Sequence, residues 1–115
     1  MNSVLNDVNE LRKLILDSKE YKNYISSLNT IESKKEIKKI INKIVTLQKD
    51  IVKKEVSKID TSKEEKELNN LYSNLYDYEE YNIYINNSEE LNILITSIQK
   101  RFEEYFNSLI KNNSD

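Results

Sequence analysis

Four adjacent pairs of acids, Glu64 with Glu65, Glu79 with Glu80, Glu89 with Glu90 and Glu103 with Glu104, are the residues here whose type is best suited to chemistry. Paired carboxylates do acid-base work only when they converge on one reacting atom, and neighbours on a helix point about 100° apart. These pairs therefore read as solvated faces. A di-iron bundle needs Glu-x-x-His repeats, zinc needs thiols or imidazoles, and calcium needs an oxygen-rich loop with a sharp glycine turn. The sequence contains no Cys, no His and no Gly, and it also lacks Pro, Trp and Ala. No nucleophile and base pair can be assembled from what remains. The expectation is a protein that is not an enzyme, with no catalytic, metal or cofactor-binding residues.

Tyrosine is the most unusual residue present. There are 8, of which Tyr72, Tyr76, Tyr78, Tyr81 and Tyr84 fall within one short stretch. They cannot all lie on one helix face, so some reach solvent or a partner. A tyrosine covers interface area at low entropic cost and keeps a polar tip. Tyr72, Tyr76, Tyr81 and Tyr84 are accordingly candidate interface residues, joined by Leu91, Ile95, Ile98 and Phe102 from the stripe of the last helix. The alternative packs two or three of the tyrosines in the core.

The elements that position these residues are read from apolar spacing. Val4, Leu5, Val8, Leu11 and Ile15 share a face of a first helix, which Asp17 or Ser18 stops while capping a second. Tyr21, Tyr24, Ile25 and Leu28 line that second helix, and Asn29 and Thr30 are expected to break it. Ser33 with Glu36 fits a capping box opening a long third helix striped by Ile37, Ile40, Ile41, Ile44, Leu47 and Ile51. Lys58 to Thr61 is the expected turn, with Ser62 and Glu65 repeating the capping pattern before a fourth helix carrying Leu68, Leu71, Tyr72 and Leu75. Asp77 and Glu80 make a third such pair. Beyond them Tyr81, Tyr84, Ile85, Leu91, Ile95, Ile98, Phe102, Tyr105 and Leu109 keep one rhythm straight through Asn86 and Asn87. One helix of about 33 residues would run about 50 Å and need a partner for its stripe. A break at Asn86 and Asn87, capped by Asn87 and Glu90, gives a monomeric bundle instead.

Length and charge bound the rest. At 115 residues the chain allows one domain, read as 1–112, with 113–115 a disordered tail. The net charge is −2, yet Lys34 to Lys66 holds 11 lysines against 6 acids, whereas Asp77 to Glu104 holds 7 acids against Lys100 and Arg101. Mutual neutralisation between packed helices explains this, and the alternative is an RNA-binding ridge on the Lys-rich third helix. The acids Asp7, Glu10 and Asp17 interrupt the opening apolar positions, so no signal peptide is read, and no apolar run approaches the roughly 20 residues of a membrane helix. A cytoplasmic protein without membrane insertion is expected.

The order of segments resembles the YlbF/YmcA family of small helical bacterial regulatory proteins, including its short YheA-like branch. The resemblance is carried by Ser18-Lys19-Glu20-Tyr21 after the first helix, by Ile44-Val45-Thr46-Leu47-Gln48-Lys49 in the third, and by Tyr84 followed ten residues later by Leu94 and Ile95. The family usually has Gly in the turn after the third helix and often Pro near the start of the last, where this chain has Asp60-Thr61 and Asp77-Tyr78-Glu79. Longer members carry a cysteine-bearing tail associated with iron-sulfur ligation, which this chain lacks. The resemblance implies an all-α fold of antiparallel hairpins, about five helices with a long C-terminal one, that dimerises or forms a higher homo-oligomer. It also implies a non-catalytic adaptor. Some relatives join a complex of related family members acting on the endoribonuclease RNase Y, which affects mRNA processing.

Overall fold

Apolar residues spaced three and four apart drive every element of the computed structural model, which describes residues 2–113. Five helices follow in order: α1 Asn2–Asp17, α2 Lys19–Ser33, α3 Lys35–Val56, α4 Ser62–Tyr76 and α5 Glu79–Asn113. Of the residues expected to form a tail, Asn113 is the last residue of α5, and Ser114 and Asp115 lie outside the described residues.

The chain divides into two units. One comprises residues 27–85 and the other the residues up to 26 together with those from 86 onward. In the first, α3 and α4 pack as a hairpin. Ile37, Ile44 and Ile51, two helical turns apart, are buried, and Ile31, Leu75 and Tyr81 join Ile37 and Ile44 in the core cluster. Ile40, Ile41, Leu68, Leu71 and Tyr72 surround that cluster. Gln48 Nε2 donates to the Tyr72 hydroxyl at 3.0 Å, and the Tyr78 hydroxyl donates to Glu36 Oε2 at 3.1 Å. The second bond spans 42 positions and ties the start of α3 to the residue just before α5.

The turn between α3 and α4 is closed without glycine. Ile59 N–H donates to the Lys54 carbonyl at 2.8 Å and Lys58 N–H to the Glu55 carbonyl at 3.0 Å, the paired bonds of a Schellman cap. That cap needs a left-handed residue, and Lys58 supplies it with φ of 57°. Lys54 then reaches both Asp50 and Glu64, fastening the end of α3 to the first turn of α4.

In the other unit α1 lies beside the later part of α5. Val8, Leu11 and Ile15 line one cleft with Ile98 and Phe102, and Leu11 and Leu14 line another with Phe102 and Tyr105. Farther along, Asn87 Nδ2 donates to the Asn23 carbonyl at 3.2 Å.

Helix ends depart from expectation more than helix cores do. Ser18 caps α2 as anticipated, its Oγ accepting from Tyr21 N–H at 3.1 Å. Asn29 and Thr30 do not break α2, because burying Ile31 rewards continuing the helix to Ser33. Ser33 consequently closes α2, its hydroxyl donating to the Thr30 carbonyl at 2.7 Å, and the capping box with Glu36 is not formed. Lys34 occupies the cap position with no side-chain bond to the helix. Ser62 is likewise inside α4, and Asp60 Oδ1 accepts from its amide and hydroxyl. Asp77 ends α4 in right-handed geometry instead of opening α5. As the rhythm predicts, α5 runs through Asn86 and Asn87 without a break.

Candidate functional site

The acid pairs separate on their helices as neighbours must. Glu64 turns in to Lys54, while Glu65 faces solvent. Hydrogen bonding to the Lys54 ammonium holds the Glu64 carboxyl below its ordinary value, and the same bond raises Lys54. This is a structural fastening next to a turn. Among the described residues no group of three or more Asp or Glu side chains is gathered as a metal site.

The eight candidate interface residues are split by the fold. Tyr81 is 8% exposed and Leu91 9%, so the fold places both in the interior. Burial pushes the Tyr81 phenol up. Tyr72 and Tyr84 are half-buried against the core of residues 27–85. Tyr76 is the exposed member of the group at 56%, its ring tilted against Tyr81 with centroids 5.9 Å apart. Ile95, Ile98 and Phe102 are half-buried, and Phe102 stacks on Phe106 at 6.3 Å.

Two surfaces emerge that the tyrosine argument missed. The first belongs to the pair formed by α1 and the later part of α5. Leu5 and Leu14 on α1 are each at least 60% exposed, and Tyr105, Phe106, Leu109 and Ile110 on α5 are also open. Among the described residues of α1 none is buried, so this pair leaves apolar faces uncovered on both flanks. The signal was present in the sequence, since the stripe of α5 continues to Leu109.

The second surface is a groove of about 840 Å³ between α3 and α4. Its floor includes Leu47 and Leu71, and Lys39, Lys43, Lys49 and Lys53 stand along it. Among the described residues none of these four lysines enters an ion pair, whereas Lys34, Lys38 and Lys54 all do. Asp50 also lines the groove but is paired with Lys54 at 3.4 Å, which leaves Glu67 as the acid there without an ionic partner. The run of charge seen in the sequence is thus divided by the fold into lysines that fasten helices and lysines that do not.

Five helices with uncovered apolar and basic faces define a small all-helical protein. The chain matches the family described as "Control of competence regulator ComK, YlbF/YmcA" over residues 4–105, and it belongs to that family. No curated protein matches it. No helix among the described residues is long and apolar enough to cross a membrane.

Proposed function

We propose that this protein is a non-catalytic adaptor that self-associates through the α1 and α5 pair and so presents the α3 and α4 hairpin to other proteins. The observation that carries the reading is the uncovered apolar surface of that pair. Six large apolar side chains, Leu5, Leu14, Tyr105, Phe106, Leu109 and Ile110, are between 39% and 62% exposed. Two helices alone bury too little to hold a stable core, and the same pair from a second copy supplies the two further layers of a four-helix arrangement. Family membership supports a regulatory role, and the family resemblance supports participation in a complex that modulates RNase Y-dependent mRNA processing, together with related family members.

Sedimentation equilibrium tests the self-association. A dimer or higher oligomer at micromolar concentration is expected, and Leu109→Asp with Ile110→Asp converts it to monomer while the helical circular dichroism is retained, because both residues are exposed. A wild-type protein that stays monomeric at tens of micromolar refutes the reading. The complex is tested separately by co-purification of tagged protein with RNase Y and the related family members from the native cell.

A further inference from the structure

The groove between α3 and α4 has a composition that selects its occupant. We infer that it binds an acidic amphipathic helix of a partner protein. This deepens the adaptor reading, on which it rests, by naming the class of partner. Lys39 to Lys53 covers about four turns of α3, or roughly 21 Å at 1.5 Å per residue, the length of a docked helix of about 14 residues. An apolar floor at Leu47 and Leu71 takes side chains recurring at steps of three and four, the usual mode of helix-in-groove recognition. The free ammonium groups of Lys39, Lys43, Lys49 and Lys53 take carboxylates flanking that apolar row.

The same residues argue against the competing occupants. Single-stranded RNA is held by aromatic stacking as well as by charge, and no aromatic side chain lines this groove. Asp50 and Glu67 also stand where phosphates would pass, and leucines form the floor. A second copy fits no better. The acidic stretch from Glu89 to Glu104 turns Leu91, Ile95 and Ile98 inward and leaves Ile93 as its openly exposed large apolar side chain, too little to fill a groove of this length.

The test uses the full chain and a fluorescent synthetic peptide of about 18 residues, with Leu at steps of three and four and Glu on the flanking positions. Its controls are a scrambled peptide of equal composition, a peptide with Lys for Glu, and a uridine-rich RNA oligonucleotide. Fluorescence anisotropy is expected to show micromolar binding of the acidic amphipathic peptide and at least tenfold weaker binding of the scrambled one. The double variant Lys43→Glu with Lys53→Glu, whose sites are exposed and leave the fold intact by circular dichroism, loses at least tenfold and gains affinity for the Lys-bearing peptide. Equal binding of scrambled and patterned peptides overturns the inference. So does RNA binding that the double variant abolishes, which makes the groove a nucleic-acid site, or an oligomer that the double variant dissociates, which assigns the groove to a second copy. Failure of peptide binding with an intact oligomer removes this inference and leaves self-association standing.

Discussion

Replacing Lys58 by glycine should stabilise the protein. Lys58 closes α3 with φ of 57°, a left-handed conformation in which Cβ crowds the following carbonyl. The penalty for a residue with a Cβ is roughly 1–2 kcal/mol, and glycine escapes it. Glycine also gives the unfolded chain more freedom, which returns roughly 0.5–1 kcal/mol. The difference is a net gain of about 0.5–1 kcal/mol. An unfolding entropy of about 2.1 cal/mol/K per residue amounts to about 240 cal/mol/K for 115 residues, so the melting temperature rises by about 2–4 °C. If residues 27–85 unfold on their own, the entropy is about half as large and the rise about twice as great. Thermal melts followed by circular dichroism should rank Lys58→Gly above wild type and Lys58→Val below it, since a branched Cβ suits this conformation least. A glycine variant no more stable than wild type, together with a valine variant no less stable, would refute a left-handed closure at this position.

Other perturbations follow from the same packing. Leu75→Ala removes a side chain only 1% exposed and should cost about 2–5 kcal/mol in urea unfolding, while Val56→Ala, at 79% exposed, should stay within about 0.5 kcal/mol of wild type. Glu64 is held below its ordinary value of 4.5, so the stability it contributes is complete above pH 4.5 and is lost as the pH falls through its folded value. Glu64→Gln should therefore lower the melting temperature at neutral pH and have progressively less effect in acid. Tyr78, bonded to Glu36, and Tyr81, buried, are both raised above 10.0. Their contribution is present below pH 10 and is lost as the pH rises through their folded values, and Tyr78→Phe should reduce the late-titrating part of the phenolate absorbance relative to wild type.

The core was legible because one period governed it. Ile37, Ile44 and Ile51 recur at exact steps of seven, and α3 buries all three. The continuity of α5 was legible for the same reason, since the stripe on either side of Asn86 and Asn87 stays in register. Helix ends were not, because a cap competes with packing elsewhere. Ser33 and Glu36 have the right types and spacing for a capping box, but burying Ile31 carries α2 to Ser33, and Tyr78, 42 positions away, engages Glu36. The burial of the tyrosines was hard to read for a related reason. That not all five tyrosines share a face follows from spacing, but which one turns inward depends on where Leu75 and Ile37 sit, and Tyr81 is the one placed beside them. Nothing in the identity of Lys58 announces a left-handed turn, whereas a glycine there would have.

The unit built from α1 and the later part of α5 joins segments that a ribosome makes at different times. Leu11 and Ile15 are synthesised on the order of 90 residues before Ile98 and Phe102, and at 5–20 residues per second the wait is roughly 5–20 s. Throughout that interval α1 carries its apolar stripe with no partner in its own chain, while the α3 and α4 hairpin, whose contacts are local, has time to close. The pairing of α1 with α5 therefore waits until the last part of the chain has been made.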